Sequence, residues 1–505
     1  MSSRTISIDP VTRIEGHLAV SVEVEENKVV KAFCKGEMFR GFEAILKGRH
    51  PLDAQQITQR ICGVCPVSHG IASILAQDKA YGISPPENGR ILRNLIQGAN
   101  YIQSHILHFY HLSALDYVDI SAVAGYSGSD PGLKMLRDWV KSQLSSKTLH
   151  PGAPFLPRYE GRYIENPDLN LTALSHYLEA LEMRALAHRM GALFAGKMPH
   201  VPTLVPGGVT EKVTAHKIAS YKSMLDRLRS FIEHKYLPDV VEVATAFPSY
   251  FEIGKGCGNF LTYGAFPEKG DGSATFLPGG AVIEGKWSPM EEKHVTEDVR
   301  HSFYSSATGL PPRKGETVAA AGKDGAYSWL KAPRYNGKVV EVGPLARVFV
   351  SYLKGDNAEL QKMVNELLSR LDRRPEQLVS VCGRHAARAV ECKLVADRCA
   401  EWVEQLAPDQ PCCQDFEIPE KGEGAGLTEA PRGALSHYIA LRDHKIDNYQ
   451  CVVPTTWNCS PRDDRGIAGA VEQALEGTPV RDPENPIETA RVVRSFDPCI
   501  ACAVH

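Results

Sequence analysis

Two pairs of cysteines are the part of this sequence whose spacing most clearly allows metal chemistry. Cys62 and Cys65 form one CxxC pair, and Cys499 and Cys502 form a second, 437 positions further along the chain. Four thiolates suit zinc, an iron–sulfur cluster or a softer transition metal such as nickel. Zinc ribbons keep their pairs about 15–20 residues apart, so this spacing disfavours structural zinc without excluding it, and one pair alone is also typical of a redox dithiol.

Charged and imidazole side chains flank these cysteines. Glu15 lies in "DPVTRIEGHL", Glu43 lies in "GEMFRGFEAIL", and Arg432 follows a proline in "TEAPRGALSHY". At the edge of a soft-metal site such groups could carry protons or hold further ligands. Each of them alone could equally be a solvated residue or part of a surface ion pair, such as one between Glu15 and Arg13.

Composition excludes several classes of protein. The 505 residues include 57 Lys+Arg and 60 Asp+Glu, a near balance that argues against a broad surface for nucleic acid or anionic lipid. No run of about 18 apolar residues is present, so no membrane span is expected. The N-terminus lacks the apolar core of a signal peptide, so export would depend on another protein. The nine cysteines outside the two pairs are interpreted mostly as small buried apolar residues.

The elements that must position these residues indicate an α+β fold. We expect one large body, with a central bundle of long helices and small peripheral β-sheets, because no linker-like stretch divides the chain into the three domains that its length suggests. The predicted parts are a β-rich segment at about 1–50, a helical bundle at about 51–240 and 357–410, a Gly- and Pro-rich mixed segment at about 245–345, and a C-terminal site-bearing segment at about 425–505.

Local patterns place some boundaries within this plan. Alternating apolar residues around Glu26 and Asn27 predict a β-hairpin. Apolar residues at helical spacing predict one long helix over about 88–116. A second long helix is predicted with Asn170 as its N-cap and Gly196 as its C-cap. The stretch "NYQCVVPTTWN" is predicted to be a strand.

Taken together, these motifs closely resemble the large, catalytic subunit of [NiFe] hydrogenases over the whole chain. The motifs that carry the resemblance are "RIEGH", "RICGVC", "GPLAR" (343–347), "EAPRG" (429–433), "VVPTTWN" (452–458) and "DPCIACAVH". The stretch "SHILHFYHLSALDYV" is similar to the branch that includes the [NiFeSe] enzymes. In that branch the first cysteine of the last pair is often selenocysteine, whereas this chain has Cys499.

The resemblance implies reversible heterolytic cleavage of H2 into protons and electrons. All four paired cysteines would bind nickel, with Cys62 and Cys499 as terminal ligands. Cys65 and Cys502 would bridge the nickel to an iron that carries carbon monoxide and two cyanides, Fe(CO)(CN)2. Cys499 would accept the proton first, and Glu15 would relay it onward.

The residues around the metals have implied roles as well. Arg432 matches an arginine whose charge lies over the open metal site, and Asp497 would orient it. Pro454 and Thr455 match the partners of the cyanides. His69, four residues after Cys65, matches a hydrogen-bond donor to a bridging sulfur, although its position alone would also allow it to be a ligand.

A second metal and a processed C-terminus are also implied. Glu43, the backbone carbonyl of Cys451 and the side chain of His505 match a Mg²⁺ site completed by water. In this family a dedicated protease removes a C-terminal extension after the histidine once nickel is in place. We therefore expect a chain that ends at His505 to be the processed form, with its end buried.

No cysteine pattern here could hold an electron-relay chain. The resemblance therefore implies a small subunit that bears the iron–sulfur clusters, and a downstream electron carrier. In exported members that subunit carries the export signal. We therefore expect a periplasmic or membrane-associated location by co-export, with a cytoplasmic one also open, and no nucleic-acid partner.

Three alternatives are weighed against this resemblance, and the last of them is nearly excluded. A hydrogen-sensing relative would narrow the gas passage with bulky side chains, whereas Val64 and Leu112 are the smaller pair and favour turnover. A structural zinc scaffold would use the same cysteines, and a quinone-reducing respiratory subunit of this fold would lack them. One departure is Ser104, which stands where many relatives have an aspartate beside the arginine, so a second carboxylate partner for Arg432 is in doubt.

Overall fold

The computed structural model of the protein describes residues 3–145 and 163–505, so the 146–162 part of the predicted helical bundle lies outside the described residues. Within the described residues, every helix is too short or too polar to cross a membrane. The α-helices are α1 (Phe42–Leu46), α2 (Asp53–Thr58), α3 (Pro66–Tyr81), α4 (Glu87–Leu107), α5 (Pro131–Ser145), α6 (Pro167–Ala195), α7 (Ala215–Phe231), α8 (Leu237–Ala246), α9 (Pro344–Lys354), α10 (Ala358–Leu371), α11 (Val381–Glu404), α12 (Pro454–Asn458), α13 (Ala470–Leu475), α14 (Ile487–Ser495) and α15 (Ile500–Ala503).

Small antiparallel sheets accompany these helices. The strands are β1 (Arg4–Ile8), β2 (Leu18–Glu25), β3 (Lys28–Gly36), β4 (Leu204–Val205), β5 (Gly208–Val209), β6 (Phe260–Thr262), β7 (Ala265–Pro267), β8 (Thr275–Leu277), β9 (Gly280–Ile283), β10 (Lys286–Ser288), β11 (Val295–Asp298), β12 (Ala332–Tyr335), β13 (Gly422–Ala430), β14 (Gly433–Arg442) and β15 (Lys445–Val452). Three sheets have three strands, in the orders β1-β2-β3, β10-β9-β6 and β13-β14-β15. The remaining strands form two-stranded pairs.

The N-terminal sheet has the predicted hairpin. Strands β2 and β3 pair in antiparallel register on either side of Glu26 and Asn27. These two residues have φ values of +49° and +59°, which a tight two-residue turn between right-twisted strands requires. From Val20 to Glu25 along β2, buried residues alternate with less buried ones, as expected for a strand with one face on the core.

Helix α4 lies at the centre of the helical part and packs against α6 and α11. All of its residues from Asn88 to Leu107 are buried. The prediction of one helix over about 88–116 is wrong at its end, because a π-helical segment, His108–Ser113, and a 3₁₀ turn, Ala114–Asp116, follow Leu107. The spacing of apolar residues cannot distinguish an α-helix from a short π- or 3₁₀-helical segment, because all three can bury the same apolar residues over a single turn.

The N-terminal boundary of α6 was also predicted incorrectly. The cap is Asn166, whose side chain accepts hydrogen bonds from the amides of Asp168 and Leu169. Asn170 lies inside the helix, where its amide side chain donates to the carbonyl of Ile164. Gly196 follows the last helical residue, as predicted.

Helix α3 begins directly after Cys65 and lies on the β13–β14 hairpin. The approach is so close that a Cβ at Gly426 would lie 1.9 Å from the carbonyl oxygen of Ala72, and one at Gly424 would lie 2.0 Å from that of Ala76. Only glycine permits this contact. It fixes the first cysteine pair relative to the strand that leads to Arg432.

The C-terminal segment differs from the predicted strand. Strand β15 ends at Val452, and Pro454 starts the short helix α12, so "NYQCV" is strand and "PTTWN" is helix. Proline suits the first turn of a helix because its missing N–H would have no partner there. One cluster of buried apolar side chains includes Ile6, the long helices and Val504, which is in keeping with a single body.

Candidate metal centre

The two ends of the described chain meet at the cysteine pairs. Glu15 and Cys499 form a parallel β-bridge, in which the Ile500 amide donates to the Glu15 carbonyl over 2.7 Å. Gly16 has a φ of +78°, and a Cβ there would lie 2.7 Å from the Ala501 nitrogen. The N-terminal "RIEGH" segment is therefore held directly against the second CxxC pair.

The four paired thiols form one cluster. Their sulfur atoms all lie within 4.8 Å of one another, with separations of 3.4 Å for Cys62–Cys499, 3.3 Å for Cys65–Cys502 and 2.7 Å for Cys499–Cys502. All four side chains are buried and none is in a disulfide. Metal–sulfur bonds of about 2.3 Å place the sulfurs of a four-coordinate site roughly 3.3–3.8 Å apart. The Cys62–Cys499 and Cys65–Cys502 separations fit one shared soft metal ion, whereas Cys499 and Cys502 lie closer than such a site requires and would have to move apart to bind it.

The protonation state of each thiol depends on its neighbours in the cluster. Hydrogen bonds from Cys499, Cys502 and Cys65 hold the pKa of Cys62 well below its ordinary value. Burial raises the pKa of the Cys499 and Cys502 thiols well above theirs. One sulfur is thus a thiolate stabilised by its neighbours, and a bound cation would promote release of the other protons.

Arg40 contacts both cysteine pairs, a role that was not predicted from the sequence. Its guanidinium donates to the carbonyl of Ile61, directly before Cys62, and over 2.6 Å to the carbonyl of Ala501, directly before Cys502. A signal was available, since the residue lies in the same "GEMFRGFEAIL" stretch as Glu43. Spacing along the chain cannot reveal a contact with Ala501.

The carboxylate of Glu15 lies against the thiol cluster. The Cys499 thiol donates to Glu15 Oε2 over 3.1 Å, and the Ala501 amide donates to the same oxygen over 3.1 Å. Burial, followed by the nearby Cys62 thiolate, raises the pKa of Glu15 above its ordinary value. The alternative of an ion pair between Glu15 and Arg13 is wrong, because Arg13 pairs with Asp116.

Arg432 and Asp497 form a buried ion pair beside the thiols. Arg432 Nη2 donates to Asp497 Oδ1 over 2.9 Å, and Nη1 lies 3.4 Å from the hydroxyl of Ser104. Burial opposes the charge of Arg432, but Asp497 and the neighbouring cysteines keep its pKa above the ordinary value, so it is a permanent cation. Ser104 thus gives Arg432 a neutral partner where relatives are expected to have a carboxylate.

A small cavity of about 10 Å³ borders the cluster. Its lining contains Cys65, His69, Ala430, Arg432, Leu435, Pro454, Thr455, Cys499 and Cys502. Thr455 also accepts a hydrogen bond from the Cys499 amide over 2.9 Å. His69 Nδ1 lies 3.1 Å from His437 Nε2. Burial lowers the pKa of His69 to about 4, so the ring is neutral.

The two predicted gas-passage residues are half-buried and separate along the chain. The carbonyl of Val64, between the first two cysteines, accepts from the Gln103 side chain over 3.3 Å. The carbonyl of Leu112 accepts from Arg13 over 2.9 Å. The backbone carbonyls of both residues therefore accept hydrogen bonds, that of Val64 from α4 and that of Leu112 from the N-terminal segment.

A second group of possible ligands lies beyond the thiols. Ligand atoms of Glu43, Cys451 and His505 lie within 4.8 Å of one another, and all three residues are buried. Glu43 Oε1 accepts from the Cys451 amide over 2.7 Å and lies 3.2 Å from His505 Nε2. Burial raises the pKa of the Cys451 thiol well above its ordinary value, so its sulfur is a poor ligand for a hard cation.

Lys331, which the sequence did not single out, is the cation of this second group. Its ammonium lies 3.8 Å from Glu43 and 3.5 Å from Glu297. Burial opposes ionisation of Glu43, but Lys331 and His505 lower its pKa to about 2. Two carboxylates thus face one lysine, and Glu297 Oε1 has no hydrogen-bond partner among the described residues. This donor set fits an additional cation with bound water.

The C-terminal residue connects the two groups. His505 Nδ1 lies 2.7 Å from the carbonyl oxygen of Cys502, while its other nitrogen faces Glu43. The residue is only 5% exposed. The last turn therefore contacts the thiol cluster on one side and the carboxylate group on the other.

Comparison with known proteins connects this geometry to a family. The family model described as nickel-dependent hydrogenase matches residues 40–505, and a model described as HoxL-like matches residues 5–33. The periplasmic [NiFeSe] hydrogenase large subunit of Desulfomicrobium baculatum is 45% identical, over 99% of this chain and 94% of that protein. The hydrogenase-2 large chain of Escherichia coli (strain K12) is 37% identical, over 100% and 97%.

Solved structures agree with the sequence comparison. The [NiFeSe] hydrogenase of Dm. baculatum, in an H2-activated form, has a TM-score of 0.90 at 45% identity and covers 100% of both chains. The Ni-Fe-Se hydrogenase of D. vulgaris Hildenborough, in the reduced state, has a TM-score of 0.89 at 44% identity, again over 100% of both chains. The expected fold class and the resemblance are confirmed, and the chain belongs to the nickel-dependent hydrogenase large-subunit family.

Proposed function

We propose that this chain is the catalytic subunit of a hydrogenase that cleaves H2 reversibly into protons and electrons. The observation that carries the proposal is the buried cluster of Cys62, Cys65, Cys499 and Cys502, assembled from both ends of the chain with Glu15 and Arg432 beside it. A nickel–iron centre held there would supply heterolytic activation of H2 and take up its electrons. Membership in a nickel-dependent family favours this over a structural zinc scaffold.

The proton leaves through Cys499 and Glu15 in this proposal. The 3.1 Å contact between the Cys499 sulfur and Glu15 Oε2 is short enough for direct transfer. The raised pKa of Glu15 brings the carboxyl closer to the working pH, so it can accept the proton and release it again. Glu15 therefore acts as the relay, and Cys499 as the group that presents the proton.

Arg432 provides fixed positive charge and no proton transfer. Its guanidinium stays ionised, and Asp497 holds it at the cavity that borders the thiols. A permanent cation at this place stabilises thiolate charge and repels a bound proton toward Glu15. The side chain would also donate to a cyanide on the iron.

The remaining contacts support the iron ligands and a magnesium ion. Pro454, Thr455 and His69 line the same cavity as Cys65 and Cys502. Pro454 and Thr455 would hold the cyanide ligands of an Fe(CO)(CN)2 unit, and His69 would donate a hydrogen bond to a cysteine sulfur shared by the two metals. Glu43, the carbonyl of Cys451 and His505 would hold Mg²⁺ with water. The negative charge of Glu43 and Glu297 around a single lysine supports that proposal.

Membership in a large-subunit family implies a small-subunit partner. We propose that this partner carries the iron–sulfur clusters, passes electrons to a downstream carrier and brings the complex to a periplasmic or membrane-associated location. A processing protease that cleaves after His505 would complete the buried C-terminal turn. Val64 and Leu112 would line a gas passage wide enough for turnover, which favours an enzyme over a hydrogen sensor.

The proposal is tested by metal analysis and infrared spectroscopy of the purified complex. Equal amounts of nickel and iron are expected, with infrared bands of bound carbon monoxide and cyanide in a region free of protein absorption. Stoichiometric zinc without nickel in active-grade protein would contradict the proposal.

The relay is tested with Glu15→Gln, which keeps the side-chain size and one acceptor but cannot titrate. Nickel content is expected to be retained, while H2 oxidation and exchange of D2 with solvent protons fall by about 10²–10⁴-fold. Para/ortho hydrogen conversion, which needs no proton exit, is expected to fall less. The matched control is Glu23→Gln in the same N-terminal region, where the partly exposed carboxylate lies 3.9 Å from the Lys31 ammonium. Wild-type solvent exchange in Glu15→Gln would refute the relay.

A further inference from the structure

Arg347, at the end of the "GPLAR" stretch, is the most fully bonded of the arginines near the site. It lies on α9, and its side chain is 0% exposed. Nε and Nη2 donate to the two oxygens of Glu391 over 2.5 and 2.7 Å, and Nη1 donates to Glu429 over 2.6 Å. Nη1 and Nη2 also donate to the carbonyls of Ala430 and Pro431, over 3.0 and 2.9 Å. All five guanidinium N–H groups are therefore used.

Three of these acceptors are the consecutive residues that directly precede Arg432. The same segment is fixed from the other side by α4, since Gln97 and Tyr101 each donate to the Glu429 carbonyl over 2.8 Å. The Tyr263 amide donates to the second carboxylate oxygen of Glu429 over 2.7 Å. The backbone that leads into Arg432 is thus held by side chains from two helices, α4 and α9, while a backbone amide just after β6 holds the Glu429 side chain.

A backbone contact fixes the other side of Arg432. A Cβ at Gly343, whose φ is +127°, would lie 3.0 Å from the carbonyl oxygen of Arg432. A Cβ at Gly433, whose φ is +134°, would lie 2.7 Å from the Gly343 nitrogen. The start of α9 and the residue after Arg432 are therefore in direct backbone contact, which only glycine allows.

By contrast, the Arg432 side chain has few tethers of its own. Asp497 accepts one bond at 2.9 Å, Ser104 accepts one at 3.4 Å, and Nε has no partner among the described residues. The position of this guanidinium is consequently set largely by its backbone. The backbone is in turn set by the α9 contacts.

We propose that Arg347 is a positioning residue for Arg432, holding its backbone so that the guanidinium stays at the cavity beside the thiols. This inference rests on the proposed function, because it gives a role in turnover to a residue that does not touch the metal site. A lysine cannot replace Arg347, since it offers three donors from one point where the acceptors need a planar fork. The competing explanation is that Arg347 only stabilises the fold.

The test is Arg347→Lys in the complete large- and small-subunit complex. Nickel and iron contents and the KM for H2 are expected to stay near wild type, while kcat falls by about 10–100-fold, the usual effect of losing a group that orients a site residue. The infrared bands of cyanide are expected to shift in the same direction as in Arg432→Lys. The double variant is expected to be no slower than Arg432→Lys alone, because the first change acts through the second residue.

The matched control is Arg93→Lys. Arg93 is also buried, pairs with Asp78 over 2.6 Å and donates to the carbonyls of Val205 and Gly208, none of which lines the site. It is expected to lower the unfolding temperature with unchanged kcat per nickel and unchanged infrared bands. Equal behaviour of the two variants would overturn the proposal, and so would additive losses in the double variant.

Glu429→Gln is a second test of the same proposal, for use if the Arg347→Lys protein does not bind nickel. It removes one of the two acceptor oxygens that Arg347 and the Tyr263 amide use and keeps the side-chain size. A smaller loss of kcat with a shift of the cyanide bands is expected. Wild-type kcat and bands in nickel-loaded Glu429→Gln would overturn the proposal. Failure of the proposed function can be distinguished from failure of the positioning role, because the wild-type complex itself would then lack nickel or H2 turnover.

Discussion

The four-thiol cluster and the carboxylate group around Glu43 lie on either side of the last turn of the chain, and they are held in different ways. The thiols contact mainly one another, with Arg432 as the cation beside them and Glu15 as an acceptor. Glu43 already has a full set of partners, since it faces Lys331 and accepts from Thr317 and from the Cys451 amide. The carboxylate group thus has a protein cation between its two acids, whereas the thiols depend mainly on one another.

This difference shows how one chain can separate a reactive site from a structural one. Buried thiolates need a soft metal to neutralise them, so the metal and the chemistry come together. The carboxylate group is partly neutralised by Lys331, so a metal there would complete the neutralisation of contacts that already exist. His505 contacts both groups, which means that a change at one can reach the other through a single residue.

From this comparison of the two groups, we expect the largest loss of metal and activity when one of the four thiols is removed. Cys499→Ala is expected to abolish nickel binding and H2 oxidation, because it removes a sulfur that contacts two other thiols and the donor to Glu15. Nickel content by elemental analysis and H2-dependent dye reduction measure the outcome. The control is Cys399→Ala, a buried cysteine of α11 outside both groups, which is expected to keep its nickel. Active Cys499→Ala protein with a full complement of nickel would break the comparison.

An intermediate effect is expected at Glu43. Glu43→Gln should retain nickel but lower stability by about 2–4 kcal/mol, because it removes a buried charge from Lys331 and leaves Glu297 as its remaining carboxylate partner. Affinity for Mg²⁺ should fall by about 10–100-fold. Denaturant unfolding with and without Mg²⁺ checks both expectations. Loss of nickel equal to that of Cys499→Ala would show that the two groups form a single site.

The same residue predicts a dependence on pH. The pKa of Glu43 is about 2 in the folded chain against an ordinary value of 4.5, so its ionised form is favoured by folding. Its contribution to stability is present above pH 4.5 and is lost as the pH falls from 4.5 toward 2. Stability should therefore fall less steeply over that range in Glu43→Gln than in the wild type, in the presence of a chelator. Parallel curves would show that Glu43 is not held as an ion.

The smallest effect is expected at Ser104. Ser104→Ala removes only a 3.4 Å contact with Arg432, which is near the long limit of a hydrogen bond. Such a contact contributes about 0.5 kcal/mol, so kcat should stay within about threefold of wild type. Steady-state kinetics on protein of matched nickel content measures this. A tenfold loss would mean that the serine hydroxyl, and not the backbone, sets the position of Arg432.

Part of the fold was predictable because its signals are local. The hairpin at Glu26 and Asn27 and the end of α6 at Gly196 follow from turn and cap chemistry that neighbouring residues carry. The start of α6 and the end of α4 were missed for the opposite reason. Asn166 caps α6, and α4 continues into a π-helical segment. In both places several local conformations suit the sequence, and tertiary packing selects one of them.

The sequence by itself determined the ligand types, since two CxxC pairs, a glutamate and an arginine in recognisable motifs specify soft-metal chemistry wherever they meet. The tertiary structure alone decided which groups face which. It pairs Arg13 with Asp116 and so leaves Glu15 to Cys499, brings Arg40 to both cysteine pairs, and places Lys331 beside Glu43. The sequence specifies the type of each residue. A contact between residues hundreds of positions apart depends instead on how the intervening helices and sheets pack.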